Sequence, residues 1–360
     1  MYDVIIAGAG VTGLSTGYHL AKSGERVLVI DKNAAGKGAS FAAAGMLGAQ
    51  TELHQSAEMF QFAVKCRNYF QTFTEELEEI SNQNIYYRRE GAWKFARSKQ
   101  EKKELEQLIH RQQQAGEEVT DFTGTDLQEK LPGLNTENVD AAFFPAEAQV
   151  DARSYTAALI EAVRQQGDLV ENAEITKIEQ KDVGWKVTAG EQIYYGKKLL
   201  LAAGTAKLMN LEVPGVVPVK GECVAVKPDV LPFTSTIFTP DVYLVPKGDG
   251  RLIIGATETE GDCSTTVTAG AVSYLLQEAI RIVPALADAP IHEVWAGVRP
   301  KSIDGYPFAG KVKEGLYVSS GYYRNGILMS GLSGRLLSEE MLQETKNKEL
   351  QLLDPQRRHS

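Results

Sequence analysis

The chain opens on Asp3-Val4-Ile5-Ile6-Ala7-Gly8-Ala9-Gly10-Val11-Thr12-Gly13, an apolar run that breaks into glycines at fixed spacing. An apolar run this short reads as a strand buried on both faces. Residues 12–23 then read as a helix, stopped by Gly24 at its C-terminus. Arg26–Ile30 is a second apolar run, closed by Asp31. Strand, glycine turn, helix and strand within about 30 residues form one βαβ unit, which is parallel and right-handed. Gly8, Gly10 and Gly13 have the GxGxxG spacing of a dinucleotide-binding turn. The first glycine permits the tight turn, the second lets backbone approach a pyrophosphate, and the third lets helix lie on strand. The phosphates then meet free N–H groups at the helix N-terminus, around Val11 and Thr12. Asp31 can accept from both ribose hydroxyls, and its charge disfavours a 2′-phosphate. A glycine turn of purely structural use is the plainer alternative, and the strand–turn–helix–strand–acid order argues against it.

The remaining pattern mixes helices with antiparallel strands. Helices are expected at 57–82, 98–116, 123–132 (stopped by Pro132), 152–166 behind Asp151 as N-cap, 270–282 and 326–344. Strands are expected at 85–96, 168–170, 173–179, 184–188, 198–204, 217–227, 235–239, 242–247, 251–257, 291–298 and 315–319, with a turn at 247–250. This order predicts a mixed α/β fold. A Rossmann-like nucleotide domain, discontinuous in sequence, would alternate with a domain built on a large antiparallel sheet. The expected division gives 1–84, 141–212 and 295–360 to the nucleotide domain, and 85–140 and 213–294 to the other.

Charge narrows the partners. The 360 residues carry a net charge of −9, a poor footprint for nucleic acid or an anionic membrane. The absence of a long apolar stretch predicts no membrane span, and a start directly in a strand predicts no signal peptide. Cys66, Cys223 and Cys263 are odd in number and widely spaced, which disfavours disulfides and zinc and suits a reducing cytoplasm. They are expected to be buried and inert. His19, His54, His110, His292 and His359 show no triad or metal spacing, so no catalytic histidine and no metal is expected.

Gly17 extends the turn to GxGxxGxxxG, a form that resembles FAD proteins more than NAD dehydrogenases. Residues 36–48, with Ser40 as a phosphate donor, are almost all small, so a planar ligand can lie against backbone. Further along stand Pro218-Val219-Lys220-Gly221-Glu222-Cys223, Tyr243-Leu244-Val245-Pro246 with Gly255-Ala256-Thr257, Trp295-Ala296-Gly297-Val298-Arg299-Pro300, and Tyr323-Arg324-Asn325-Gly326-Ile327-Leu328. In this combination and order the chain resembles the D-amino-acid oxidase and sarcosine oxidase superfamily, and within it the glycine oxidases of the thiamine pathway. The resemblance implies non-covalent FAD, held by Gly8, Gly10, Val11, Thr12, Gly13, Asp31, Lys32, Ala39, Ser40, Ala44, Gly45, Met46, Ile175 and the loop Tyr323, Arg324, Asn325, Gly326, Ile327 and Leu328. It implies that Arg299 pairs with a substrate carboxylate, that Tyr243 adds a hydroxyl to it, and that Arg324 lies alongside.

The implied reaction is hydride transfer from the α-carbon of glycine, sarcosine or a small D-amino acid to flavin N5. The imine then hydrolyses to a keto acid and ammonia, while O2 becomes hydrogen peroxide. A cytoplasmic homotetramer is implied with it. An amino-acid dehydrogenase with another electron acceptor, a non-catalytic flavoprotein subunit and an NAD-dependent dehydrogenase are the alternatives. Two positions depart from the family pattern: Glu258 stands where methionine is expected, and Asp241 where histidine is expected.

Overall fold

The first apolar run forms the strand Tyr2–Ala7 at the heart of a mixed eight-stranded sheet in a computed structural model that describes residues 1–52, 56–205 and 215–357. Its parallel neighbours are Val27–Ile30 and Gln192–Leu201, with Ile6 opposite Val29 on one side and Leu200 on the other. Asp168–Val170 and Leu316–Ser320 extend the parallel order outward, and Phe308–Lys313 closes one edge antiparallel. Successive strand residues face opposite ways. Val4 and Ile6 therefore pack under the helices Val11–Lys22, Ala57–Ser81, Ala152–Gln166 and Gly326–Gln343. Ile5 and Ala7 pack under an antiparallel flap, Ile175–Gln180 with Trp185–Ala189.

The second sheet has nine strands. Thr259–Glu260, Val216–Val226, Leu252–Gly255, Tyr243–Pro246, Thr236–Phe238, Ala92–Ala96, Asp140–Phe144 and Thr120–Thr123 follow in that order, and Ile291–Ser302 pairs with the whole length of Val216–Val226. Every pairing is antiparallel except Thr236–Phe238 with Ala92–Ala96. One face buries Val224, Leu244 and Ile254 beneath Leu275, Ala279 and Ile282 of the helix Ala269–Ile282. The opposite face carries Cys223, Tyr243, Val245 and Trp295 and meets the small-residue run at Ala42, Ala44 and Met46.

Several expectations are corrected. The run 85–96 is strand only over Ala92–Ala96, because Tyr86 (φ 56°) and Gly91 (φ 74°) break the extended backbone before it. The strand expected at 291–298 continues to Ser302, so a domain boundary between 294 and 295 would cut a continuous pairing partner of Val216–Val226. The strand Asp140–Phe144 likewise crosses the boundary expected at 140/141. The boundary expected at 212/213 lies outside the described residues, as do His54 and His359. Thr120–Thr123 and Phe308–Lys313 were not expected as strands. Asp151 does cap its helix, accepting from the Ser154 N–H at 2.9 Å. No helix among the described residues is long and apolar enough to cross a membrane.

A buried lysine fastens the antiparallel sheet to the segments around Ala44 and Val150. Lys247 Nζ leaves the end of the Tyr243 strand and donates to Ala44 O (2.5 Å), Val150 O (2.9 Å) and Gln149 Oε1 (3.0 Å). Burial pushes its ammonium down to about 7. The folded group is then neutral between that value and the ordinary lysine range, while the unfolded group still holds its proton. Stability must therefore rise with pH across that window, and the gain saturates above it. Lys247→Met leaves two carbonyls unpaired and should cost about 1–3 kcal/mol. The cost should widen from pH 7 to pH 10, measured by urea unfolding, whereas a pH-independent gap would contradict the neutral amine.

Candidate active site

Between the two sheets lies a cavity of about 650 Å³, the scale of a large-ligand site. One end is lined by Asp31, Lys32, Glu174 and Ile175, the other by Gly221, Tyr243, Arg299 and Arg324. The glycine turn forms the wall between them, and Gly8 and Gly13 there each answer a close approach of backbone. A Cβ on Gly8, at φ 111°, would stand 2.4 Å from Ala202 O, and one on Gly13 would stand 2.2 Å from Gly8 O. Gly45, at φ 85°, would put its Cβ 2.1 Å from Val150 O. Backbone rather than side chain therefore faces this part of the cavity.

The polar groups suit a dinucleotide. Asp31 accepts from the Ala9 N–H at 2.7 Å and from the Asn33 N–H at 2.9 Å, which fixes its carboxylate beside the cavity with lone pairs to spare. Ser40 Oγ accepts from the Val11 N–H at 3.0 Å, so its own proton is left for an acceptor. The helices Val11–Lys22 and Gly326–Gln343 both present their N-termini, through Val11, Thr12, Gly326 and Ile327. Neither has an acid in its first turn, so both leave positive dipole ends for anionic or electron-rich ligand atoms. Among the described residues there is no metal-binding cluster and no histidine on the cavity wall.

The two arginines differ in what they touch. Arg299 projects from the strand Ile291–Ser302 across Gly221, where an added Cβ would meet its guanidinium at 2.5 Å. Its hydrogen bond to protein is Nη1 to Thr257 O at 3.4 Å, and no carboxylate among the described residues pairs with it. Arg324 is held by two acids. Its Nε donates to Glu52 Oε1 at 2.7 Å, its Nη2 also pairs with Glu52, and its Nη1 meets Glu258 Oε1 at 2.9 Å. The Glu52 charge, more than any other influence, holds the Arg324 guanidinium above its ordinary range. Tyr243 is 7% exposed, with its hydroxyl 3.5 Å from Cys223 Sγ. Burial pushes that phenol up, so it stays a proton donor. Its ring lies so close to Gly255 that a Cβ there would fall 2.4 Å from the hydroxyl oxygen.

Of the predicted site residues, Gly8, Gly10, Val11, Thr12, Asp31, Lys32, Ala39, Ser40, Ala44, Gly45, Met46, Ile175, Tyr243, Arg299, Tyr323, Arg324, Gly326 and Ile327 line this one cavity. Gly13, Asn325 and Leu328 do not. Gly13 lies under Gly8, Leu328 is in the helical core, and Asn325 is the buried N-cap of its helix with Oδ1 unpartnered. Sequence reasoning missed Glu52 and Glu174, which stand in no motif. Cys66 and Cys223 are buried as expected, but Cys263 is exposed at the cavity. The two departures also find places. Glu258 pairs with Arg324, while Asp241 pairs with Arg281 (2.8 Å) and Arg97 (3.6 Å) outside the cavity wall.

Residues 3–340 match the model of the FAD-dependent oxidoreductase family called DAO. The chain belongs to this family. It is 36% identical to glycine oxidase of Geobacillus kaustophilus (strain HTA426), over 94% of this chain and 92% of that one. The crystal structure of glycine oxidase from Geobacillus kaustophilus superimposes with a TM-score of 0.95 at 34% identity, covering 100% of this chain and 99% of that one. The bifunctional protein ThiO/ThiG of Synechocystis sp. (strain ATCC 27184 / PCC 6803 / Kazusa) is 30% identical over 99% of this chain and 54% of its own length. The enzyme is thus an FAD-dependent oxidoreductase, and the glycine turn, Asp31, Ser40 and the two helix N-termini fit that cofactor.

Gly221→Ala separates site from scaffold. The new methyl meets the flexible end of Arg299 rather than backbone. Stability should change by less than about 1 kcal/mol. Displacing the guanidinium should lower kcat/KM about tenfold or more, read by steady-state kinetics beside a thermal melt.

Proposed function

We propose that the enzyme oxidises glycine and other small amines and amino acids, sarcosine and small D-amino acids among them, to the imine, which water converts to the keto acid (glyoxylate from glycine) and ammonia. The observation that carries this reading is the unpaired guanidinium of Arg299 beside the buried Tyr243 hydroxyl, both on the cavity wall. A planar guanidinium takes a carboxylate at two points, which fixes the α-carbon as well as the charge. Tyr243, kept protonated by burial, adds a donor to the same carboxylate.

FAD held in this cavity would supply the hydride acceptor and the route of the electron pair to O2, which would become hydrogen peroxide. The chain's own part is binding and orientation. Arg299 and Tyr243 hold the acid end, which turns an encounter into a fixed geometry. No residue is needed as a strong base, since a neutral amine already has the electron pair that drives hydride loss. The walls agree, with no histidine among the described lining residues and with Glu52 engaged by Arg324. The antiparallel sheet and the small-residue run meet closely at Gly297 and Ala42, both on the cavity wall, where a Cβ on Gly297 would stand 2.2 Å from the Ala42 methyl.

The rest of the reading is non-covalent FAD in a cytoplasmic homo-oligomer, a tetramer by family resemblance, supplying thiazole synthesis in the thiamine pathway. In this reading the parallel sheet with its helices holds FAD, the antiparallel sheet holds substrate, and the residues predicted at the site serve those two roles. Similarity to glycine oxidases and to a ThiO/ThiG protein supports it.

The test is to add glycine, sarcosine and D-alanine to the yellow protein without air, then to admit air and assay peroxide. Bleaching by glycine followed by peroxide supports an oxidase. Bleaching that only an artificial acceptor reverses would indicate a dehydrogenase, and no bleaching by any amine would overturn the reading. Arg299→Ala should raise KM for glycine about a hundredfold, as loss of a charge-assisted two-point contact requires. An unchanged KM would remove Arg299 from the substrate.

A further inference from the structure

Arg324 carries two acids of different kinds. The Glu52 side chain is 5% exposed and takes Nε and Nη2, so it is a buried counter-charge. The Glu258 side chain is 43% exposed and takes the remaining corner, Nη1. Glu258 is not placed by chance. It follows Thr257, whose hydroxyl donates to Glu222 Oε2 at 3.1 Å and accepts from the Glu222 N–H at 2.9 Å, while its carbonyl receives Arg299. The backbone that anchors Arg299 therefore also delivers Glu258 to Arg324. The charges of both arginines act on the Tyr243 and Tyr323 hydroxyls, so both stand around one space.

Electrostatically, the end of the cavity opposite Asp31 thus has one guanidinium free and one taken. Without Glu258, Arg324 would keep its charge and its tie to Glu52 but would offer Nη1 to a ligand. We propose that Glu258 is a specificity-determining residue that confines the site to substrates with a single carboxylate, by occupying the corner of Arg324 that a second carboxylate would need. A dicarboxylate must either displace Glu258 or bring a further negative charge against Glu52 and Glu258. Either route costs a charge-assisted hydrogen bond or its equivalent in repulsion. The proposal rests on the glycine reading only in that Arg299 takes the first carboxylate.

The experiment is calorimetric binding of acetate, malonate and succinate to the FAD-loaded enzyme, so that no turnover is needed. Acetate is glycine without its amine, and the other two add a second carboxylate at two spacings. In Glu258→Ala the affinity for at least one diacid relative to acetate should rise about tenfold over wild type. Glu258→Gln, which removes the charge but keeps an acceptor, should give a smaller rise. The rise should vanish in E258A/R324K, because lysine lacks the forked donor. A ratio within about twofold of wild type in both single variants would overturn the proposal, as would a rise that survives in the double variant. Glycine oxidation by wild type is assayed apart. Its failure would count against the substrate reading, while the diacid ratio would still decide the role of Glu258.

Discussion

The contact between Gly13 and Gly8, with Gly8 itself pressed on Ala202, sets the geometry of everything around it. A methyl group at either glycine would lie within 2.4 Å of a backbone oxygen, far inside contact distance. The helix Val11–Lys22 can therefore sit directly on the sheet, with its N-terminus aimed along the wall of the cavity. The Ala9 N–H is then turned to Asp31 and the Val11 N–H to Ser40, which ties the turn to the second strand and to the small-residue run. That run is next held to the antiparallel sheet. Trp295 Nε1 donates to Ala42 O at 3.1 Å, and Gly297 leaves room for the Ala42 methyl. Arg153 lies over the rings of Phe41 and Trp295 and pairs with Glu293, bracketing the same seam. One close approach of backbone thus propagates to the relative position of the two sheets, and so to the distance between the Asp31 and Arg299 ends of the cavity.

At the Arg299 end of the cavity the deciding quantity is which charge is already compensated. Arg299 and Arg324 are alike as residues and share a cavity. Removing both from water without partners would be costly, and compensating both would leave nothing to attract a carboxylate. The structure compensates one. Arg324 is tied to two acids, and the loop that carries it is strapped to the Arg299 strand by the Tyr323 N–H bond to Pro300 O. Arg299 is left with one long bond to a carbonyl. A carboxylate entering the cavity therefore meets its strongest unsatisfied donor at a place fixed by a twelve-residue strand.

What the sequence revealed follows from how local each signal is. The βαβ unit was legible because strand burial, glycine spacing and the closing acid fall within one continuous stretch. Thr120–Thr123 was not, because an edge strand that is largely exposed carries no apolar alternation. The strand through Arg299 is expected only over 291–298 and runs on to Ser302. It continues because Pro300 faces Pro218 in the neighbouring strand and the pairing resumes on either side. Glu258 and Asp241 were visible as departures, but their meaning was not. Their partners, Arg324 and Arg281, lie 66 and 40 residues away, and only the fold brings them together. Glu52 was invisible for the same reason, with 272 residues separating it from Arg324.

Glu52 itself needs support, since a buried carboxylate that moved would take Arg324 with it. The support comes from a polar cluster behind the cavity. Glu147, 1% exposed, accepts from the Gln50 N–H at 3.1 Å, the Thr51 hydroxyl at 2.9 Å and Arg67 Nη1 at 3.3 Å. Arg67 also binds Gln50 Oε1 and Glu117, and Lys94 Nζ donates to Thr51 O. Burial pushes the Glu147 carboxyl up, and the Arg67 charge and these donors pull it back. Such a cluster is weak evidence for net stability, because desolvation offsets much of the attraction. Its value here is directional. Four of these bonds hold a backbone atom or side chain at Gln50 or Thr51, and the short helix Ala49–Glu52 then carries its last side chain to Arg324. The polar interior thus backs the Glu52–Arg324 pair, which keeps one cavity arginine compensated while Arg299 keeps its charge open to the cavity.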